Sequence, residues 1–267
     1  GRNDIRPPAL HYHCASKSTR QRSMNFKDKC VIVTGASGNL GRAVVRAFAS
    51  KGANVVLVDR NAAALDAAIV ADGFANDAHI LPVVADLMDQ ARVSAMVATA
   101  AQRFGGVHIL CNIAGGFRMG DAVHETSDAT WNFLFDINAK TLLHTARAVV
   151  PQMLAQAPDA TGARGQIVNI GAFGALHGAA NMAAYGASKA TVIRITEAMA
   201  GELREQGINV NCVLPTIIDT PENRAAMPSA DPSRWVAPEA LADVIVFLAS
   251  DGARAIHGAA VPVTGLV

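Results

Sequence analysis

The sequence predicts a single α/β domain built on a doubly wound parallel sheet. Three observations carry this reading. Hydrophobic residues make up 51% of the chain and charged ones only 17%, which suits a sheet covered on both faces. From Cys30 onward, short Val/Ile-rich runs alternate with longer amphipathic stretches. The 267 residues match the size at which such a sheet forms one unit, ~250 residues. Right-handed crossovers between parallel strands then place helices on both faces.

Each element follows from its local pattern. Strands are expected at Cys30–Thr34, Asn54–Asp59, Ile80–Ala85, Val107–Ile113, Gln166–Ile170, Ile208–Leu214 and Ala259–Val263, where apolar, mostly β-branched residues run almost without interruption. Helices are expected near Leu40–Lys51, Ala62–Asp72, Asp89–Phe104, Asp128–Leu154, Ala183–Glu205 and Pro238–Ala249. No internal repeat or low-complexity tract interrupts the alternation.

Charge and composition narrow the function classes. A net charge of +1 argues against a nucleic-acid partner, which calls for a concentrated basic face. No apolar run reaches the ~18 residues of a membrane span. Cys14, Cys30, Cys111 and Cys212 form no C-x-x-C pair, and the last three lie in strand-like runs. They are expected to be small buried hydrophobes in a reduced, cytoplasmic protein, not metal ligands or disulfides. His108, His124 and His144 share no metal-like spacing with carboxylates or thiols and are read as structural; no metal site is expected.

Residues 1–23 stand apart. They hold Arg2, Arg6, Lys17, Arg20 and Arg22 against the single acid Asp4. They lack the apolar core of a signal peptide, although an acid-poor Arg/Ser composition also occurs in organelle transit segments. The expected division is a flexible extension over 1–23 and the domain itself over 24–267.

The first chemical motif is the turn after the first strand. Gly35, Gly38 and Gly41 fall at i, i+3 and i+6, with Ser37, Asn39 and Leu40 between them. Glycines there permit a tight turn and close backbone approach, and the helix that follows offers free N–H groups to a pyrophosphate. Asp59 closes the second strand. A carboxylate in that place can accept hydrogen bonds from ribose hydroxyls and repels a 2′-phosphate, which points to NAD(H) as cofactor. Arg60 could receive a phosphate only by turning inward. The bland alternatives are a merely flexible loop for the glycines and a helix cap for Asp59.

The second motif is Tyr185 and Lys189, four residues apart and so on one helical face. An ammonium beside a phenol is expected to favour the phenolate and lower its pKa. Such a tyrosine can exchange a proton with a substrate oxygen.

Together, Thr34–Gly41, Asp86 after the third strand, Asn112 to Gly115 after the fourth, Asn138 in a long helix and Tyr185 to Lys189 resemble the short-chain dehydrogenase/reductase family over residues 26–265. The resemblance implies a Rossmann-type fold and an NAD(H)-dependent enzyme acting on a small molecule, assembled as a homodimer or homotetramer. It implies cofactor contacts from Gly35, Ser37, Gly38, Asn39, Leu40, Gly41, Asp59, Arg60, Asp86, Leu87, Asn112, Ala114, Gly115, Pro215, Ile218 and Thr220. It also implies that Lys189 and Tyr185 meet the nicotinamide ribose, and that Asn138 anchors a water of a proton relay.

One family feature is missing. The serine 13 residues before the tyrosine is here Ala172, and neither neighbour, Gly171 or Phe173, carries a hydroxyl. Dihydropteridine-reductase-like members of the family also lack it. They share Ala114-Gly115-Gly116-Phe117 and a segment similar to Val213–Asp231, whereas Asn138 and Ala240–Val263 follow the common family type. The expected substrate is a small carbonyl-like or quinonoid cyclic compound, since a delocalised acceptor needs less oxyanion stabilisation than an isolated carbonyl. Two alternatives stand beside it: a cofactor-binding sensor or scaffold without turnover, and an ordinary alcohol/ketone dehydrogenase. His177, five residues past Ala172, is either a replacement donor or a plain surface-loop histidine.

Overall fold

The computed structural model describes residues 24–267; the expected extension at 1–23 lies outside the described residues. Seven parallel strands form one sheet in the order β3-β2-β1-β4-β5-β6-β7. They are β1 (Cys30–Thr34), β2 (Asn54–Asp59), β3 (Ile80–Val84), β4 (Ile109–Asn112), β5 (Gly165–Ile170), β6 (Ile208–Pro215) and β7 (Ala260–Val263). The expected strands are all present, with ends that move by one residue or two.

The sheet is buried on both faces because each central strand sends apolar side chains both ways. On one face Val31, Val33, Val55, Leu57 and Val213 pack with helices α1 (Asn39–Ala49) and α8 (Pro238–Leu248). On the other, Ile32, Val56, Val58, Leu110 and Ile167 pack with α3 (Gln90–Phe104), α5 (Thr141–Ala155) and α6 (Ala183–Leu203). Period-two alternation inside an all-apolar strand produces two cores separated by one backbone layer.

Local chemistry sets the helix starts. Asn61 caps α2 (Ala62–Ala71), Asp89 caps α3 and Ser127 caps α4 (Asp128–Phe135), each through a side-chain oxygen that accepts a backbone N–H. α1 differs. Its cap is Gly38, which supplies no side-chain bond, so its first N–H groups remain open to an external acceptor.

Two features depart from expectation. The helix expected over Asp128–Leu154 contains a π-turn at Asp136–Lys140, closed by the Thr141 N–H on the Asp136 carbonyl, between α4 and α5. A single inserted residue of this kind bulges the helix and re-aims the side chains on it. A short helix, α7 (Pro221–Ala226), was not expected; Thr220 caps it and Pro221 opens it.

The strand order reverses between β1 and β4. Ligands of open parallel sheets bind at that switch, beyond the carboxyl ends of the strands. Every expected site residue lies at that edge or in the segments beyond it.

Candidate active site

The floor of the cleft is built where the β1 and β4 turns meet. Gly35 has φ +63, and a Cβ on it would lie 3.0 Å from both the Cα and N of Ala114. A Cβ on Gly41 would overlap the Gly35 carbonyl oxygen and lie 2.8 Å from the Cα of Ala36. Only glycine fits either place. The Thr34 hydroxyl accepts the N–H groups of Ile113 (3.0 Å) and Ala114 (3.1 Å), and donates to the Cys111 carbonyl (3.4 Å). Thr34 therefore clips the two turns together, a role its place at the end of a strand did not reveal.

The acid at the end of β2 is oriented by the glycine turn. Asp59 Oδ2 accepts the Ser37 hydroxyl, and Asp59 Oδ1 accepts the Asn61 N–H at 3.2 Å. Two nearby arginines differ in commitment. Arg42 makes a bidentate pair with the nearly buried Asp72 (2.9 and 2.7 Å), which Arg46 also meets at 2.9 Å. These pairs hold the Asp72 carboxyl below its usual range. Arg60 is exposed.

The adjoining segments are fixed by backbone contacts. Asp86 Oδ1 accepts the Met88 N–H at 2.9 Å, and the Leu87 carbonyl accepts His144 Nδ1–H at 2.8 Å. Thus His144 is buried and holds a segment of the cleft wall. Asn112 spends its side-chain amide inside the protein. It accepts the Thr145 hydroxyl and donates to Asn169, which donates in turn to Thr196 (2.8, 2.8 and 2.9 Å). This buried ladder ties α5, β4, β5 and α6 together beneath the site. Asn169, Thr145 and Thr196 carried no motif signal, because their partners are distant in sequence.

Tyr185 and Lys189 share one face of α6, but the lysine does not act on the phenol as expected. Lys189 Nζ donates to the Ile170 carbonyl at 2.9 Å, and burial lowers its pKa to about 8. Burial raises the Tyr185 phenol to about 12. The expected lowering fails because desolvation disfavours the charged form of each group in this enclosed place. The Phe117 ring, itself exposed, meets Tyr185 edge-on at 5.0 Å.

Asn138 sits in the π-turn, 3% exposed. Its Oδ1 accepts the Gly116 N–H (2.9 Å) while its Nδ2 donates to the Gly116 carbonyl (3.0 Å) and to the Ser188 hydroxyl (3.1 Å). Both N–H groups of the amide are therefore spent on protein groups, while Oδ1 keeps a second lone pair. Gly115 completes the packing: a Cβ there would lie 3.0 Å from Asn138 Oδ1 and 3.2 Å from Lys189 Nζ.

Ala172, extended at φ −154 and 5% exposed, puts a methyl group where the family serine would stand. His177 is exposed. Pro215, the last residue of β6, is buried; beyond it Ile218 bridges to Val236, and the Thr220 hydroxyl accepts the Asn223 N–H. Asn39 at the start of α1 donates to Glu222 of α7 at 2.9 Å, so this segment reaches across to the glycine turn. Among the described residues, no three His, Cys, Asp or Glu side chains converge to hold a metal.

The comparisons agree with this geometry. The sequence profile described as short chain dehydrogenase matches residues 29–230. The chain is 36% identical over 248 residues to galactitol 2-dehydrogenase (L-tagatose-forming) of Cereibacter sphaeroides, covering 88% of this chain and 93% of that one. It is 30% identical over 250 residues to the 3-oxoacyl-(acyl-carrier-protein) reductase of Thermotoga maritima, covering 91% and 98%. Among solved structures, a short-chain dehydrogenase/reductase of the glucose/ribitol dehydrogenase type from Brucella melitensis superposes with a TM-score of 0.81 at 30% identity, covering 90% of this chain and 97% of that one. Fold, cleft and sequence lead to one conclusion: the chain belongs to the short chain dehydrogenase family and is an oxidoreductase.

Proposed function

We propose that this enzyme is an NAD(H)-linked reductase or dehydrogenase of a small carbonyl-like substrate, with conjugated or quinonoid acceptors favoured over isolated ketones. The observation that carries the reading is a half-buried Tyr185 one turn from the buried Lys189, in a site where Ala172 is buried as well. A proton donor is present, but the second hydrogen-bond donor of the family is not.

The residues fit a dinucleotide. Gly35 and Gly41 let the turn fold tightly on itself and against Ala114, and the open N-terminus of α1 that it leads into suits a pyrophosphate. Asp59 suits unphosphorylated ribose hydroxyls. Bound there, the cofactor supplies or takes the hydride. Tyr185, a neutral phenol at pH 7, holds the proton that goes to the substrate oxygen in reduction. Lys189, an ammonium below about pH 8, places positive charge beside that oxygen as it gains electron density. Phe117 meets the donor's ring edge-on, and Asn138 fixes the Gly116 peptide.

A second reading is an ordinary polyol or ketone dehydrogenase, favoured by the likeness to galactitol 2-dehydrogenase. Retention of Tyr185 and Lys189 weighs against a sensor without turnover, which needs no proton donor.

The enzyme works as a homodimer or homotetramer in this reading. The face of α6 turned away from Tyr185 carries Ala183, Gly186, Ala187 and Ala190, small side chains that let a second copy approach closely. Light scattering at micromolar concentration should report more than one chain, and a stable monomer would refute this. A cytoplasmic setting suits the buried free thiols of Cys30, Cys111 and Cys212. Residues 24–267 form the catalytic unit, with 1–23 as an extension to it. The deciding assay is NADH oxidation with quinonoid dihydropterin, quinones and simple ketones. Turnover of the conjugated compounds supports the reading; turnover of none overturns it.

A further inference from the structure

We propose that Ser188 is a positioning residue for Tyr185, holding the proton donor against the loop that follows β4. The inference rests on the reading of Tyr185 as that donor. Ser188 is fully buried, one residue before Lys189 and three after Tyr185. Its hydroxyl donates to the Tyr185 carbonyl at 2.8 Å and accepts Asn138 Nδ2–H at 3.1 Å.

The directions of these bonds are forced. A serine hydroxyl has one proton, and a carbonyl can only accept, so that proton goes to Tyr185 and a lone pair faces Asn138. The other two bonds of the Asn138 amide grip the N–H and the carbonyl of Gly116. The next residue is Phe117, whose ring meets Tyr185. A closed circuit results: Tyr185 backbone, Ser188, Asn138, Gly116, Phe117, and back to the Tyr185 ring.

Helix propensity does not account for a serine here. A helical serine bonded to the preceding turn slightly weakens its helix, and alanine would fill nearly the same space. What serine adds is the acceptor for Asn138. Without it, one Nδ2–H is stranded where water does not reach, and α6 loses its side-chain tie to the Gly116 clamp. Lys189 keeps its own bond to Ile170, so cofactor contacts through the lysine are not expected to change.

The test uses Ser188→Ala and Ser188→Cys, which remove the strong acceptor at two different side-chain volumes. The chain holds two tyrosines, so in a Tyr12→Phe background labelled with 3-fluorotyrosine the one fluorine signal reports Tyr185. Both variants should lower kcat about tenfold, the scale of one buried hydrogen bond. The KM for NADH should stay unchanged, and the Tyr185 signal of the free protein should shift. A wild-type kcat with an unshifted signal in either folded variant would overturn the inference. So would a loss confined to the alanine variant, which would mark a packing defect. If the wild type reduces no carbonyl compound, the proposed function fails, and the fluorine signal alone decides the role of Ser188.

Discussion

The Ser37 hydroxyl donates to Asp59 Oδ2 at 2.6 Å, and the Ser37 N–H approaches the same oxygen at 3.3 Å. The glycine turn thus aims the carboxylate that closes β2, placing a negative charge where an adenosine ribose would lie. NAD(H) is expected to bind at least tenfold more tightly than NADP(H), ~1.4 kcal/mol. Calorimetric titration checks this, and equal or reversed affinities would contradict it. Asp59→Ala should narrow the gap.

Gly41 supplies a steric prediction. A Cβ there overlaps the Gly35 carbonyl oxygen, and backbone cannot swing aside as a flexible side chain can. Gly41→Ala should therefore cost ~1–3 kcal/mol, as overpacking does, and should weaken dinucleotide binding by displacing the turn. The melting temperature and an NADH fluorescence titration should fall together. Wild-type values for both would show that the turn has room.

Much of this architecture was legible in the sequence, for a physical reason. Strands such as Cys30–Thr34 and Asn54–Asp59 are buried on both faces, so they read as continuous apolar runs with sharp ends. The glycine turn was legible because its glycines fall between a strand and a helix, with an acid closing the next strand; the spacing alone is a weak signal. The π-turn at Asp136–Lys140 was not, since one added residue barely disturbs the apolar period of a long helix. The helix at Pro221–Ala226 was overlooked although Thr220-Pro221 is a start signal; six residues are too few to show a period. The environments of Tyr185 and Lys189 were misjudged because spacing places two groups together but says nothing about water. Ser188 was passed over as an ordinary member of its segment, for its partner Asn138 lies fifty residues away.

The lysine predicts a pH dependence. Burial lowers Lys189 to about 8, so its ammonium form is present below that pH and is lost as pH rises through it. Reduction should therefore show an alkaline limb near pH 8, well before the phenol itself ionises at about 12. Lys189→Arg, which stays charged, should remove the limb whatever its absolute rate. A wild-type profile flat to pH 10 would contradict the assignment.

The account turns on Tyr185 working beside an alanine. Tyr185→Phe removes only the phenolic oxygen and should lower turnover ~10²–10⁴-fold while NADH still binds. The most direct measurement compares the wild type and Ala172→Ser on a quinonoid acceptor and on an ordinary ketone, with NADH. A hydroxyl at residue 172 offers a second donor, which matters where negative charge localises on one oxygen. The account predicts that Ala172→Ser leaves the quinonoid rate within a few-fold and raises the ketone rate. A wild type that turns over neither compound, with ketone reduction appearing only in the serine variant, would contradict it.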